Sequence, residues 1–110
     1  IRGGFAQGIG EALMERIVYD ADGQLLTGSL MDYALPRASD MPSLSIGKMS
    51  TPSPANTLGA KGVGEAGTIG APAAILNAAN DALRPHGATI QSMPLTAEAL
   101  WRALRSASTR

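Results

Sequence analysis

Residues 62–67, Gly-Val-Gly-Glu-Ala-Gly, lead directly into a helical apolar pattern over residues 69–83. The apolar side chains that share one face of this helix are Ile69, Ala73, Leu76, Ala79 and Leu83. Because Pro72 has no backbone N–H, the helix must begin close before it, and Pro85 with Gly87 ends it. The stretch therefore predicts a glycine-rich loop that opens onto a helix.

Two further helices are predicted on either side of this stretch. Apolar residues at helical spacing indicate a glycine-rich helix over residues 4–14. Thr96 is a good N-cap for a last helix, with Glu98 in its first turn, where the helix dipole favours an acidic side chain. The buried stripe expected for that helix is Leu100, Trp101 and Leu104.

Two segments carry strand patterns. Residues 15–19 are rich in β-branched and aromatic side chains, and the turn signal at residues 20–23 lets residues 24–27 pair back on them. Residues 43–49 alternate apolar and polar side chains. We therefore expect an α+β fold over residues 1–110 as a single domain, with a small sheet or hairpin and two to three packed helices.

Composition excludes several classes of function. Nine basic and nine acidic residues balance, so no broad basic field for nucleic acid is expected. No apolar stretch approaches the ~18 residues that span a bilayer, so no membrane partner is expected. The absence of cysteine excludes disulfides, thiolate zinc sites and iron–sulfur clusters bound by this chain, and we predict no metal ligand among its residues.

The loop at residues 62–67 fits the pattern G-x-G-x-x-G of dinucleotide-binding folds, but its surroundings do not. A dinucleotide fingerprint follows a hydrophobic strand, whereas this loop follows a Pro- and Ser-rich segment. No strand ending in an acidic residue appears about 20 residues further on, where Asp81 lies within the predicted helix. A nucleotide-binding module is therefore the weaker alternative.

Glu65 is the candidate catalytic residue of this loop. Its small apolar neighbours Val63, Ala66 and Ile69 are expected to desolvate the carboxylate partly, which would raise its pKa and suit it to general-base work. Backbone N–H groups of a glycine loop at a helix start also form an anion-binding concavity. An acid here would equally stabilise the helix that follows through its dipole, and these residues alone leave both interpretations open.

Residues 59–75 closely resemble the active-site loop of the molybdenum hydroxylases, the xanthine oxidase and aldehyde oxidase family. The resemblance is greatest to the bacterial branch that includes carbon monoxide dehydrogenase large chains. In that family the Gly-x-Gly-Glu glutamate is the catalytic base, which corresponds to Glu65. Residues 3–10 are similar to the family's glycine-rich helix, whose glutamine hydrogen-bonds the molybdopterin and corresponds to Gln7. Residues 31–36 and 93–96 match further family segments in the same order.

The resemblance implies that the chain is the C-terminal part of a molybdopterin-binding subunit, within a larger molybdopterin-binding domain. The residues that would bind the cofactor are Gln7, Lys61, Gly62, Val63 and Gly64. The implied cofactor is molybdenum–molybdopterin, with the cytosine dinucleotide form among those the family uses. Lys61 would meet a phosphate of the cofactor, although a plain surface lysine fits the sequence equally well.

The implied partners are the remainder of the subunit, iron–sulfur and FAD subunits, and a small-molecule substrate. The implied reaction hydroxylates an aldehyde or N-heterocycle with water as the oxygen source. Ala66-Gly67 stands where the best-defined carbon monoxide dehydrogenases carry Ser-Pro, which argues against carbon monoxide as substrate. A cytoplasmic location is expected, or a periplasmic one if a partner carries a twin-arginine signal.

A rival interpretation is a catalytically silent structural or assembly fragment of such a subunit. The chain opens on Ile1-Arg2-Gly3-Gly4, which reads as the middle of a longer sequence. The chain contains none of the upstream segments that bind the cofactor in the family. We therefore expect the isolated 110-residue chain to be inactive.

Overall fold

The structure, a computed structural model, describes residues 1–109. Its α-helices are α1 (Arg2–Ile9), α2 (Ala71–Leu83) and α3 (Ala97–Ser108), with a π-helical turn at Gly10–Met14 and 3-10 turns at Ala38–Asp40 and Arg84–His86. The segments between these elements are irregular apart from turns. The longest of these segments is residues 41–70.

The predicted α+β fold is wrong: residues 1–109 contain helices and no strand. The expected hairpin is reduced to one isolated antiparallel bridge between Tyr19 and Leu25. Asp20 organises its turn, since its Oδ1 accepts hydrogen bonds from the backbone N–H of Asp22 at 3.0 Å and of Gln24 at 2.8 Å. The bridged side chains Tyr19 and Leu25 are both exposed, so no packed face stabilises this pair, and an isolated two-stranded hairpin is marginally stable at best.

The second predicted strand, residues 43–49, has no regular secondary structure and pairs with no backbone among residues 1–109. Its alternating pattern is the pattern of a strand with one packed face. Within the described residues, no neighbouring strand supplies the hydrogen bonds that would make it one.

The helices were predicted correctly. Helix α1 and the π turn together cover the predicted residues 4–14. Helix α2 holds Pro72 in its first turn, and the chain leaves the helical region at Gly87, whose φ of +66° favours glycine. Thr96 is the N-cap of α3, and its side-chain oxygen accepts a hydrogen bond from the N–H of Ala99 at 3.2 Å.

The π turn contains a polar contact that ties a distant segment to α1. The Glu15 N–H donates to the Gly10 carbonyl at 2.7 Å, and a Cβ on Gly10 would collide with the Glu15 carboxylate. The Tyr33 hydroxyl donates to Glu15 Oε2 at 2.5 Å. This hydrogen bond, followed by desolvation and the charge of Glu15, raises the pKa of Tyr33. The segment around Tyr33 is thereby held against the end of the first helical element.

The core lies between α2 and α3. Its buried residues are Leu83, Ala88, Ile90 and Leu95, against which Ile75, Leu76, Ala79, Leu100 and Leu104 pack. Asn80 holds residues 89–90 on α2, because its side chain donates to the Ile90 carbonyl and accepts from the Ile90 N–H, both at 2.9 Å. The Leu95 N–H donates to the Ala12 carbonyl at 2.7 Å, which links this core to the π turn.

One part of the expected stripe on α3 is not buried. Leu100 and Leu104 pack on the core, but Trp101 is 55% exposed, with the Arg105 guanidinium 5.1 Å from its ring centre. Many other large apolar side chains are also exposed. The radius of gyration is 18.1 Å, against about 13 Å for a compact domain of this length. No helix within residues 1–109 is long and apolar enough to cross a membrane.

Candidate functional site

The first helix and the loop before α2 meet through glycines. A Cβ on Gly4 would lie 2.9 Å from the Gly67 Cα, and a Cβ on Gly67 would lie 2.6 Å from the Ile1 carbonyl oxygen. One turn further along α1, a Cβ on Gly8 would lie 2.5 Å from the Ala71 Cβ. Real Cβ atoms do not approach other atoms this closely, so only glycine permits the two backbones to touch here.

This contact brings two predicted site segments together. Gln7 lies in α1 between Gly4 and Gly8, and Glu65 lies two residues before Gly67. Both side chains are exposed, and neither makes a side-chain hydrogen bond or ion pair among residues 1–109. The contact of Gly4 with Gly67 thus brings the helix that carries Gln7 next to the loop that carries Glu65, and both side chains are exposed.

The loop backbone is free to bind an anion. Among residues 1–109, the N–H groups of Gly62, Val63, Gly64 and Glu65 donate no hydrogen bond. A Cβ on Gly62 or Gly64 would meet nothing within 4 Å, so the packing of this chain does not explain those two glycines. Consecutive free N–H groups in a glycine loop suit an anionic group that approaches the backbone closely. The residues present thus fit a phosphate-bearing cofactor such as molybdopterin.

The expected desolvation of Glu65 by its own neighbours is absent. Val63 is 68% and Ile69 is 78% exposed, and Ala66 is also exposed, so these side chains do not cover the carboxylate. The chain turns so tightly here that the Glu65 carbonyl accepts hydrogen bonds from the N–H groups of Thr68 at 3.0 Å and Ile69 at 3.3 Å. Within residues 1–109 the apolar neighbours of Glu65 therefore do not desolvate its carboxylate.

The alternative role of Glu65 as a helix cap is wrong. Helix α2 begins at Ala71 with Gly70 as its N-cap, so Glu65 lies well outside its first turn. That turn contains no acidic residue, and no side chain caps it. The dipole effect on a charge is confined to the first turn of a helix. Glu65 is therefore free of the structural role that its position in the sequence left open.

Lys61 directly precedes the glycine loop at residues 62–67. Its ammonium Nζ donates to Thr51 Oγ1 at 3.2 Å, and the side chain is exposed. Lys61 and Val63 border a shallow cleft of about 380 Å³ with residues 49–52 and 58–59. Within residues 1–109, no three His, Asp or Glu side chains come together as metal ligands.

Two contacts that arrange this site were not predicted from the sequence. The four-residue spacing of Gly4 and Gly8 was a signal that a backbone packs closely against one face of α1. The side chain of Asn56 bonds twice to Ala60, just before Lys61, and only the run of turn-forming residues around it pointed to such a role.

Comparison with known proteins agrees with this geometry. The sequence profile of the molybdopterin cofactor-binding domain matches residues 1–42, which include Gln7. The nicotine 6-hydroxylase large subunit of Paenarthrobacter nicotinovorans is 47% identical over 105 residues, covering 96% of this chain and 13% of that protein. The carbon monoxide dehydrogenase large chain of Hydrogenophaga pseudoflava is 37% identical, with the same coverage of 96% and 13%.

A solved structure gives the same result. The crystal structure of quinoline 2-oxidoreductase from Pseudomonas putida 86 superposes on 96% of this chain with a TM-score of 0.91 and 46% identity, and the match covers 13% of that chain. The profile match and the superposition show that the chain is similar to molybdopterin-binding proteins. The chain belongs to the molybdenum hydroxylase family, to which the large subunits of these oxidoreductases belong. It spans about an eighth of the length of these relatives.

Proposed function

We propose that this chain is the molybdenum-cofactor-binding portion of an enzyme that hydroxylates an N-heterocycle or an aldehyde, with Glu65 as its general base. The observation that carries the proposal is the position of the Glu65 carboxylate. Among residues 1–109 this carboxylate is exposed, forms no ion pair and lies beside backbone N–H groups that donate no hydrogen bond, in a loop packed against the helix that carries Gln7.

Backbone and side-chain groups of this chain would together hold the cofactor. The N–H groups of Gly62, Val63 and Gly64 would donate to its anionic groups, and the Gln7 side-chain amide, which both donates and accepts, would bind the pterin. The ammonium group of Lys61 lies next to this loop and provides a positive charge for a phosphate, including that of a cytosine dinucleotide extension.

When bound, the molybdenum cofactor supplies the two-electron redox centre of a hydroxylation whose oxygen atom comes from water. Glu65 accepts a proton at its carboxylate from the reacting O–H group, which makes that oxygen a better nucleophile. The exposed Val63 and Ile69 contribute apolar surface that excludes water once it is covered.

The relatives support an aromatic N-heterocycle over carbon monoxide. Identity is 47% to a nicotine hydroxylase subunit and 46% to a quinoline oxidoreductase, against 37% to a carbon monoxide dehydrogenase chain. Ala66-Gly67 after the glutamate points the same way.

We further propose that the chain acts with the remainder of a large subunit and with iron–sulfur and FAD subunits, in the cytoplasm. Relatives described as a large subunit and a large chain support this proposal, as does their greater length. The exposed apolar side chains, among them Trp101, form a surface that the remainder of a large subunit would bury. The same exposure favours the second candidate function, a silent fragment when the chain stands alone.

The test is to purify the full-length protein with its subunits and the isolated 110-residue chain in parallel. We expect stoichiometric molybdenum and pterin only in the former, with quinoline or nicotine hydroxylated by oxygen from isotopically labelled water. Absence of molybdenum from the full-length protein, or product oxygen derived from dioxygen, would contradict the proposal. Stabilisation by a nucleotide without molybdenum would instead support the dinucleotide-binding alternative.

A further inference from the structure

We propose that Asn56 is a positioning residue for the cofactor-binding loop at Gly62–Glu65, an inference that rests on the proposed function. The side-chain amide of Asn56 uses both of its polar atoms on one residue. Its Nδ2 donates to the Ala60 carbonyl at 2.9 Å, and its Oδ1 accepts from the Ala60 N–H at 2.8 Å. This double contact fixes both the position and the orientation of the Ala60 backbone.

The segment between Asn56 and Ala60 is closed by further backbone contacts. The Gly59 N–H donates to the Asn56 carbonyl at 3.1 Å, and the Ser53 N–H donates to the Gly59 carbonyl at 3.0 Å. Gly59 has a φ of +65°, and a Cβ there would lie 2.8 Å from the Pro52 Cβ. The turn therefore requires glycine for two reasons, and the Asn56 side chain joins its two ends.

The next residues along the chain are held only through their carbonyls, since Val63 accepts from the Ala66 N–H at 3.2 Å and Glu65 from the N–H groups of Thr68 and Ile69. Gly62, Val63, Gly64 and Glu65 donate no backbone hydrogen bond among residues 1–109. The loop is held at its far end by the contact of Gly67 with Gly4, and at its near end by Asn56 through Ala60. Lys61 adds one exposed hydrogen bond to Thr51 at that near end.

This arrangement gives Asn56 a role without contact with any ligand. A loop whose free N–H groups must converge on one anion binds better when its ends are already fixed, because less conformational entropy is lost on binding. Asn56 orders the near end of the loop and so sets where the N–H groups and the Glu65 carboxylate stand. Residues that orient ligand-binding groups in this way typically change affinity or activity by about 10–100-fold when they are substituted.

The test is Asn56→Ala in the full-length protein with its cofactor, compared with Asn77→Ala. Asn77 is an exposed residue of α2 whose side chain makes no hydrogen bond among residues 1–109, so its substitution removes the same group without a partner. We expect Asn56→Ala to speed amide hydrogen exchange over residues 60–65 and to lower kcat per bound molybdenum about 10–100-fold. Exchange in α3 should stay unchanged.

A second variant separates loop geometry from loss of side-chain volume. Asn56→Asp keeps the size of the side chain but turns an oxygen, instead of an NH2 group, toward the Ala60 carbonyl. We expect faster exchange over residues 60–65 in this variant too. Exchange and turnover equal to Asn77→Ala in both variants would overturn the proposal. Because exchange is measured independently of turnover, an active Glu65→Gln enzyme would refute the proposed base and leave the result for Asn56 interpretable.

Discussion

Substitution of Gly8 by alanine tests whether the contact between α1 and α2 arranges the site. The new Cβ would lie 2.5 Å from the Ala71 Cβ, 3.1 Å from Thr68 Oγ1 and 3.2 Å from the Pro72 Cδ. Carbon atoms in contact sit about 3.5–4.0 Å apart, so α1 must move by roughly 1 Å. Overpacking of this kind costs about 1–3 kcal/mol.

Helix propensity works in the opposite direction, since alanine is favoured over glycine in a helix by up to about 1 kcal/mol. Gly3→Ala is the matched control, because Gly3 lies in the same helix and a Cβ there meets nothing within 4 Å. Native-state hydrogen exchange of the α1 amides in the full-length protein should show Gly8→Ala to be less stable than Gly3→Ala by about 1–3 kcal/mol. A displacement of about 1 Å should also lower turnover by up to roughly 100-fold. Equal stability and turnover in the two variants would refute the reasoning.

Two further predictions concern the parts that support the site. Asn80→Ala should lower the protection of residues 88–90 against amide hydrogen exchange by about 2 kcal/mol relative to Asn77→Ala. The reason is that two hydrogen bonds to the Ile90 backbone are lost, at about 1 kcal/mol each. Equal amide exchange in the two variants would contradict this prediction. The raised pKa of Tyr33 predicts a stabilising contribution that is fully present below the ordinary tyrosine pKa of about 10 and is lost as pH rises through the higher value in the folded protein. Absorbance titration should show phenolate forming at lower pH in Glu15→Gln, and an unchanged titration would show that the hydrogen bond does not act as described.

The helices could be predicted from the sequence because local residues determine them. Pro72, Gly87 and Thr96 act through their own backbone or side chain, and each has the predicted role at its helix end. The absence of strands could not be predicted, because a strand forms only when a second segment pairs with it. Residues 43–49 have no such partner among residues 1–109. The same reason applies to the burial expected for Trp101, which needs a surface that the described residues do not provide.

The candidate site shows the same division. The free loop backbone and its glycines were evident in the sequence, as were Gln7 and Glu65 as its polar side chains. The packing of the Glu65 loop against the helix that carries Gln7 was not evident, because it depends on Gly4 meeting Gly67 across more than half the chain. Desolvation of Glu65 was inferred from neighbours in sequence, whereas burial depends on neighbours in space, and here those neighbours are exposed.

The most direct test of Glu65 as the base is Glu65→Gln in the full-length protein, with Glu11→Gln as the matched control. Glu11 is exposed and forms no ion pair among residues 1–109, so its substitution removes the same charge away from the loop. Turnover per bound molybdenum should be at least about 100-fold lower in Glu65→Gln, while the cofactor content stays unchanged. The reason is that the amide keeps the shape of the carboxylate but cannot accept the proton. Turnover equal to that of Glu11→Gln would contradict the account.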